Sequence, residues 1–227
     1  MPALNITSKF EISISNNIDP QKASVFAAKN RCVGLAAPPE LIAPLISTRS
    51  TLNAQYKIIS LIDFPGGKNF AVDKLLRTSH DAYSSDGFDI IPTPNRTKAE
   101  QKNEIKSIIE LITMQINKLA EIRFVIDTNR SAEELISFLE LIKGFPISGL
   151  RINTSLGQIL DPKADREDIL KKYKSSVELI RKFTAVPVKL CGAFDYFMIK
   201  ELPKINTFGV SLDQALVITK EAEQAQA

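Results

Sequence analysis

Strand-like and helix-like stretches alternate along the whole of this chain, and that alternation restricts what it can fold into. Lys9-Phe-Glu-Ile-Ser-Ile-Ser15 alternates apolar and polar residues, as a half-buried strand does. Arg31-Cys-Val-Gly-Leu35 is short and apolar, and Tyr56-Lys-Ile-Ile-Ser-Leu-Ile-Asp63 is β-branched and nearly continuous. Gly87 to Ile91, Glu121 to Asp127, Gly149 to Asn153, Val186 to Leu190 and Ile205 to Val210 bring the candidate strands to eight. Helical patterns separate them: Asp19 to Asn30 with Pro20 in a first turn, Pro39 to Ile46, Asn69 to Ser84, and Lys98 to Leu119. Further on come a helix opened by the capping box Ser131-Ala-Glu-Glu134, then Ala164 to Phe183, Tyr196 to Leu202 and Leu212 to Ala222.

Strands that are apolar on both faces and alternate with helices predict a parallel sheet covered by helices. Eight such units in 227 residues predict a single (β/α)8 barrel, an α/β fold, as one domain over residues 1–227. An open, flavodoxin-like sheet is the alternative.

Composition removes several function classes. Net charge is +3 from 29 basic and 26 acidic residues, spread without a long basic run, so nucleic acid is not an expected partner. No apolar run approaches the roughly 18 residues of a membrane span. The first residues lack a charged segment followed by an apolar one, so no secretory signal is expected and a cytoplasmic location fits. Cys32 and Cys191 both fall in predicted buried strands and read as reduced core thiols. They are too few for a thiolate cluster, and the one histidine, His80, falls on or beside the apolar face of a predicted helix. Neither a metal nor a cofactor is expected.

In a barrel the reactive groups sit at the C-terminal strand ends and in the loops that follow. Those ends hold Asp63, Asp89, Asp127, Asn153 and Lys189. An acid there either serves chemistry or caps the next helix. Asp89 and Lys189 stand inside apolar strands, where an unpaired charge is expensive, and are the better functional candidates. Arg151 shares a strand face with Asn153, and Arg123 shares one with Asp127. The two arginines either lie inside the barrel, where a pair such as Arg151 with Asp89 would depress the carboxylate pKa and hold Lys189, or face solvent at the strand starts.

Six short segments, taken in order, resemble those of the deoxyribose-phosphate aldolases. They are Ile62-Asp-Phe-Pro-Gly-Gly67, Gly87-Phe-Asp-Ile-Ile91, Phe124-Val-Ile-Asp-Thr128, Asn153-Thr-Ser-Leu-Gly157, Val186-Pro-Val-Lys-Leu-Cys-Gly-Ala193 and Phe208-Gly-Val-Ser211. The resemblance implies an aldehyde lyase of the Schiff-base class acting on a sugar phosphate. It matches Asp89 to a proton-transfer aspartate, Asp127 to a fifth-strand glutamate and Lys189 to the lysine that tunes the imine-forming one. It also places substrate phosphate near Thr154, Gly157, Gly192, Gly209 and Ser211. Backbone amides of short Gly-bearing loops, with a following helix N-terminus, have the physics for such a site. The alternative is that these glycines only make tight turns.

Two departures stand against ordinary family chemistry. The imine position holds Asn153, whose amide nitrogen cannot condense with an aldehyde, and Glu11-Ile-Ser-Ile-Ser15 has neither the Asp nor the His of the family's first strand. Three readings follow. Lys189 has taken over imine formation; or the barrel is catalytically inactive and binds a phosphorylated metabolite or serves as an assembly partner; or Asp89 or Asp127 acts as a general base without an imine. A homo-oligomer is compatible with each.

Overall fold

The computed structural model describes residues 6–15, 17–62, 84–93, 96–127, 130–153, 166–192, 194–202 and 205–225. Eight parallel strands close into a barrel in sequence order. They are β1 (Phe10–Ser13), β2 (Gly34–Ala37), β3 (Lys57–Ile62), β4 (Gly87–Ile90), β5 (Glu121–Asp127), β6 (Gly149–Asn153), β7 (Val188–Cys191) and β8 (Thr207–Ser211). Closure, through β1 pairing with both β2 and β8, excludes the open sheet. The described α-helices are α1 (Pro20–Lys29), α2 (Ile42–Thr51), α3 (Lys98–Leu111), α4 (Ala132–Ile142), α5 (Arg166–Phe183), α6 (Tyr196–Lys200) and α7 (Leu212–Gln224).

Local chemistry sets the helix starts. Asp19 accepts from the Gln21 amide ahead of Pro20, and Ser131 with Glu134 forms the expected capping box. Thr97 with Glu100, and Ser211 with Gln214, form two more. Outward positions, even-numbered on every strand except β2, include Phe10, Phe88, Phe124 and Phe208, which are fully buried against the helices. Each such side chain contributes about 1.5–3 kcal/mol on leaving water. Ala36, Ile59 and Leu61 form a separate apolar cluster inside the barrel.

Three sequence expectations change. The strand expected at Arg31–Leu35 begins at Gly34, because Arg31 and Cys32 belong to the turn that ends α1. Cys32 is therefore buried in a turn rather than a strand. The helix expected to reach Leu119 leaves α geometry at Ile112 and stops at Ile116. Asn117 ends it: its side-chain oxygen accepts from the Leu119 amide and its nitrogen donates to the Ser85 carbonyl. Leu119 is left 89% exposed. The second helix runs past Ile46 to Thr51 after a short 3-10 turn over Pro39–Leu41. The helix expected at 69–84 lies almost wholly outside the described residues, as do Asp63 and His80.

Strand register converts into layers of inward side chains. Moving from Glu11 around the barrel and rising one residue per strand returns to Glu11, the stagger expected of this barrel type. That circuit puts Glu11, Ile59, Arg123 and Lys189 in one layer, from the odd strands. Ala36, Asp89, Arg151 and Gly209 form the layer above, and Ser13, Leu61, Val125 and Cys191 the third. Asn153 and Ser211 stand above these, with Asp127 higher still at the C-terminal mouth. Beneath them all lies a layer of Gly34, Gly87, Gly149 and Thr207. A Cβ added at any of those glycines would come within 2.8 or 2.9 Å of a carbonyl oxygen of the next strand.

Candidate functional site

The two lower layers hold five charged side chains in one connected network. Asp89, fully buried on β4, accepts from Arg123 Nε at 2.6 Å, Arg151 Nη1 at 2.7 Å and Lys189 Nζ at 2.7 Å. Glu11 accepts from Arg123 Nη2 at 2.9 Å and also from the Lys189 ammonium. The pairing of Arg151 with Asp89 anticipated from strand alternation is present, and both arginines lie inside rather than in solvent. Alternation serves well here because these strands are regular, so every second side chain meets the barrel axis.

Burial alone raises a carboxyl pKa, but the cations overrule it in this network. Arg123, Lys189 and Arg151 together hold the Asp89 carboxyl well below the usual carboxylate range. Arg123 and Lys189 do the same for Glu11, against both burial and the neighbouring Asp89 charge. Both acids are thus ionised acceptors, and Lys189 is a donor to each. Both bonds hold its nitrogen in the lower layers, away from the mouth.

Asn153 connects the network to the mouth. Its side-chain oxygen accepts from Arg151 Nε at 3.1 Å, and the residue is only 4% exposed. Asp127 pairs with Asn153 in register at the ends of β5 and β6 and is half-buried. The four candidate catalytic positions therefore fall on a single path, with Asp127 and Asn153 at the mouth and Asp89 and Lys189 two or more layers deeper. Arg151 bridges the two halves.

Ser211 ends β8 at the level of Asn153, and its hydroxyl accepts from the Gln214 amide in the first turn of α7. Gly192 follows β7 directly and donates its amide to the Gly209 carbonyl at 3.3 Å. Gly209 departs from the loop position anticipated for it. It lies inside β8, where an added Cβ would fall 2.2 Å from Cys191 Sγ. Close packing accounts for that glycine. Thr154 and Gly157 lie outside the described residues.

Glu11 is the member that sequence reasoning missed. The segment Glu11-Ile-Ser-Ile-Ser15 drew notice for the Asp and His it lacks, while the outward Ile12 and inward Glu11 already obeyed strand alternation. Cys191, two layers above Lys189 on the same strand, is a free buried thiol, as is Cys32. Burial pushes both thiols up, Cys32 to about 12, and the Arg151 and Lys189 charges only partly offset this at Cys191. Among the described residues, no group of His, Cys, Asp and Glu is arranged to hold a metal ion. No helix among them is long and apolar enough to cross a membrane.

Neither the protein-family models nor the curated proteins gave a match to this sequence. Solved structures did. Deoxyribose phosphate aldolase from Aeropyrum pernix superposes with a TM-score of 0.74 at 12% identity, covering 98% of this chain and 91% of that one. An aldolase called QR15 gives 0.71 at 15% identity, with 98% of each chain covered. A HpcH/HpaI aldolase/citrate lyase family protein from Burkholderia cenocepacia gives 0.58 at 10% identity, over 100% of this chain and 98% of that one. The chain is a (β/α)8 barrel that shares the fold of the deoxyribose-phosphate aldolases over its full length.

Proposed function

We propose that this single-domain barrel binds a phosphorylated aldehyde or sugar phosphate at its C-terminal mouth and forms no imine with it. The observation that carries the reading is the placement of Lys189. Its ammonium donates to both Glu11 and Asp89 in the lower layers, while Asn153 occupies the mouth. With an amide at the mouth and the amine engaged below it, the described residues offer aldehyde-lyase chemistry of the Schiff-base class no nucleophile there. Asn153, held by Arg151, is placed to hydrogen-bond a ligand carbonyl or hydroxyl. Ser211, at the N-terminus of α7, supports the phosphate end, where amides and the helix dipole favour an anion. A cytoplasmic location suits such a ligand.

Intact-mass analysis after borohydride treatment with acetaldehyde, glyceraldehyde 3-phosphate and deoxyribose 5-phosphate tests the reading. No adduct is expected, while calorimetry should detect deoxyribose 5-phosphate binding that weakens in Ser211→Ala. An adduct on Lys189 that disappears in Lys189→Leu would overturn the proposal and make the protein a lyase with a relocated imine.

A further inference from the structure

A second site is suggested at the opposite end of the barrel. A cavity of about 1270 Å³ opens among the strand starts and the turns before them. Arg31, Lys57 and Arg181 line it, and it reaches inward to Glu11, Arg123 and Lys189 of the lowest charged layer. Its volume is above the range of roughly 300–1,000 Å³ usual for small-molecule sites. Five basic and two acidic side chains line it, an excess equal to the +3 of the entire chain. The chain's positive imbalance is thus matched by one concave surface.

Charge inside the barrel runs the same way. Among the described residues the network joins three cations, Arg123, Arg151 and Lys189, to two carboxylates, Glu11 and Asp89. Cationic side chains in a low-dielectric interior attract an anion that can approach them. From this end the approach is open, since Gly149 lines the cavity without a side chain and Arg123 is the more exposed of the two network arginines.

Arg31 supplies an independent argument. It follows the C-cap of α1 with φ +53°, and the bonds Cys32 N–H to Ala27 O (3.0 Å) and Arg31 N–H to Ala28 O (3.3 Å) make a Schellman turn. This left-handed position favours Gly, then Asn. The same position after α2 is Asn53 at φ +48°, and the turn after α4 uses Gly144 at φ +88°. An arginine there is disfavoured by its backbone, yet it delivers a cation to the wall of this cavity.

We propose that the cavity at the N-terminal face binds a small oxyanion, phosphate- or carboxylate-bearing, through Arg31, Arg181 and the lower edge of the charged network. This site is separate from the mouth and does not depend on what binds there. The test is an amide NMR titration of the full chain with inorganic phosphate, and in a second arm citrate, at constant ionic strength. Calorimetry on Arg31→Gly accompanies both arms. Glycine suits the positive φ, so that variant should fold at least as stably as the parent while binding the anion about tenfold more weakly. Shifts at Arg31, Asn53, Gly149 and Thr207 in one or both arms, with the tenfold loss, support the site and identify which oxyanion it prefers. Shifts confined to Asn153 and Ser211, no shifts in either arm, or unchanged affinity in Arg31→Gly would overturn it.

Discussion

Replacing Asp89 by Asn tests how the barrel interior is held together. The change is nearly isosteric and removes one charge, leaving Glu11 as the acid of the network among the described residues, against Arg123, Arg151 and Lys189. Asp89 receives three ion pairs at 2.6–2.7 Å and is 0% exposed. Breaking a buried pair by removing one partner destabilises by about 3–5 kcal/mol, because it leaves buried charge without compensation. Against a typical stability of about 5–15 kcal/mol, Asp89→Asn should lower the urea midpoint steeply at pH 7. Arg151→Met makes the opposite change, leaving two cations against two carboxylates. It should be the milder of the two, although it also removes the donor to Asn153.

The pH dependence carries a sign. The Asp89 and Glu11 pKa values are lowered in the folded state, so their stabilisation is complete above the unfolded carboxylate range near about pH 4. It is lost as pH falls through the folded values. Each carboxylate contributes a slope of up to about 1.4 kcal/mol per pH unit over that window. The gap between parent and Asp89→Asn should therefore be widest at neutral pH and narrow below about pH 4. Urea titrations at pH 7, 5 and 3 measure it. An Arg151→Met variant destabilised more than Asp89→Asn, or a gap that widens in acid, would refute the charge argument.

Other consequences are open to direct measurement. Asn153→Lys puts an amine about 5 Å from the Arg151 guanidinium, where repulsion of roughly 3 kcal/mol at an effective dielectric near 20 should lower its pKa by about two units. Borohydride should then trap an aldehyde on residue 153 at neutral pH, and a variant that traps none would sink the idea. Gly209→Ala drives a Cβ into Cys191 Sγ and should cost about 1–3 kcal/mol, whereas Gly209→Ala with Cys191→Ala should recover most of it. Ser131→Ala removes the hydroxyl that caps α4 and should lower stability by about 1 kcal/mol in thermal unfolding. Cys32 and Cys191 should resist a thiol reagent in the native state and react together on unfolding, because burial suppresses both thiolates.

Much of the fold was readable from periodicity, since all eight strands and the described helices fall where apolar patterning put them. Boundaries failed where local chemistry outranked pattern, as at Arg31, which a Schellman turn takes from the strand, and at Asn117, whose side chain stops a helix whose apolar pattern continues to Leu119. The pairing of Arg151 with Asp89 was readable because alternation along one strand is local. Glu11 joining Lys189 was not, since it depends on the stagger that brings β1 and β7 to one level across the barrel. The N-terminal cavity was equally hidden, because its residues come from several turns with no common motif in sequence.

The glycine layer below the charged network gives the barrel two unlike ends. At the mouth, backbone and side chains crowd around Asn153. At the base, Gly34, Gly87 and Gly149 place no side chain between the cavity and Arg123 or Lys189. Solvent hydrogens should therefore reach the ammonium and guanidinium groups from beneath, on a path that never meets a ligand at the mouth. Filling the mouth would leave that exchange running, whereas an anion seated at the base would stop it.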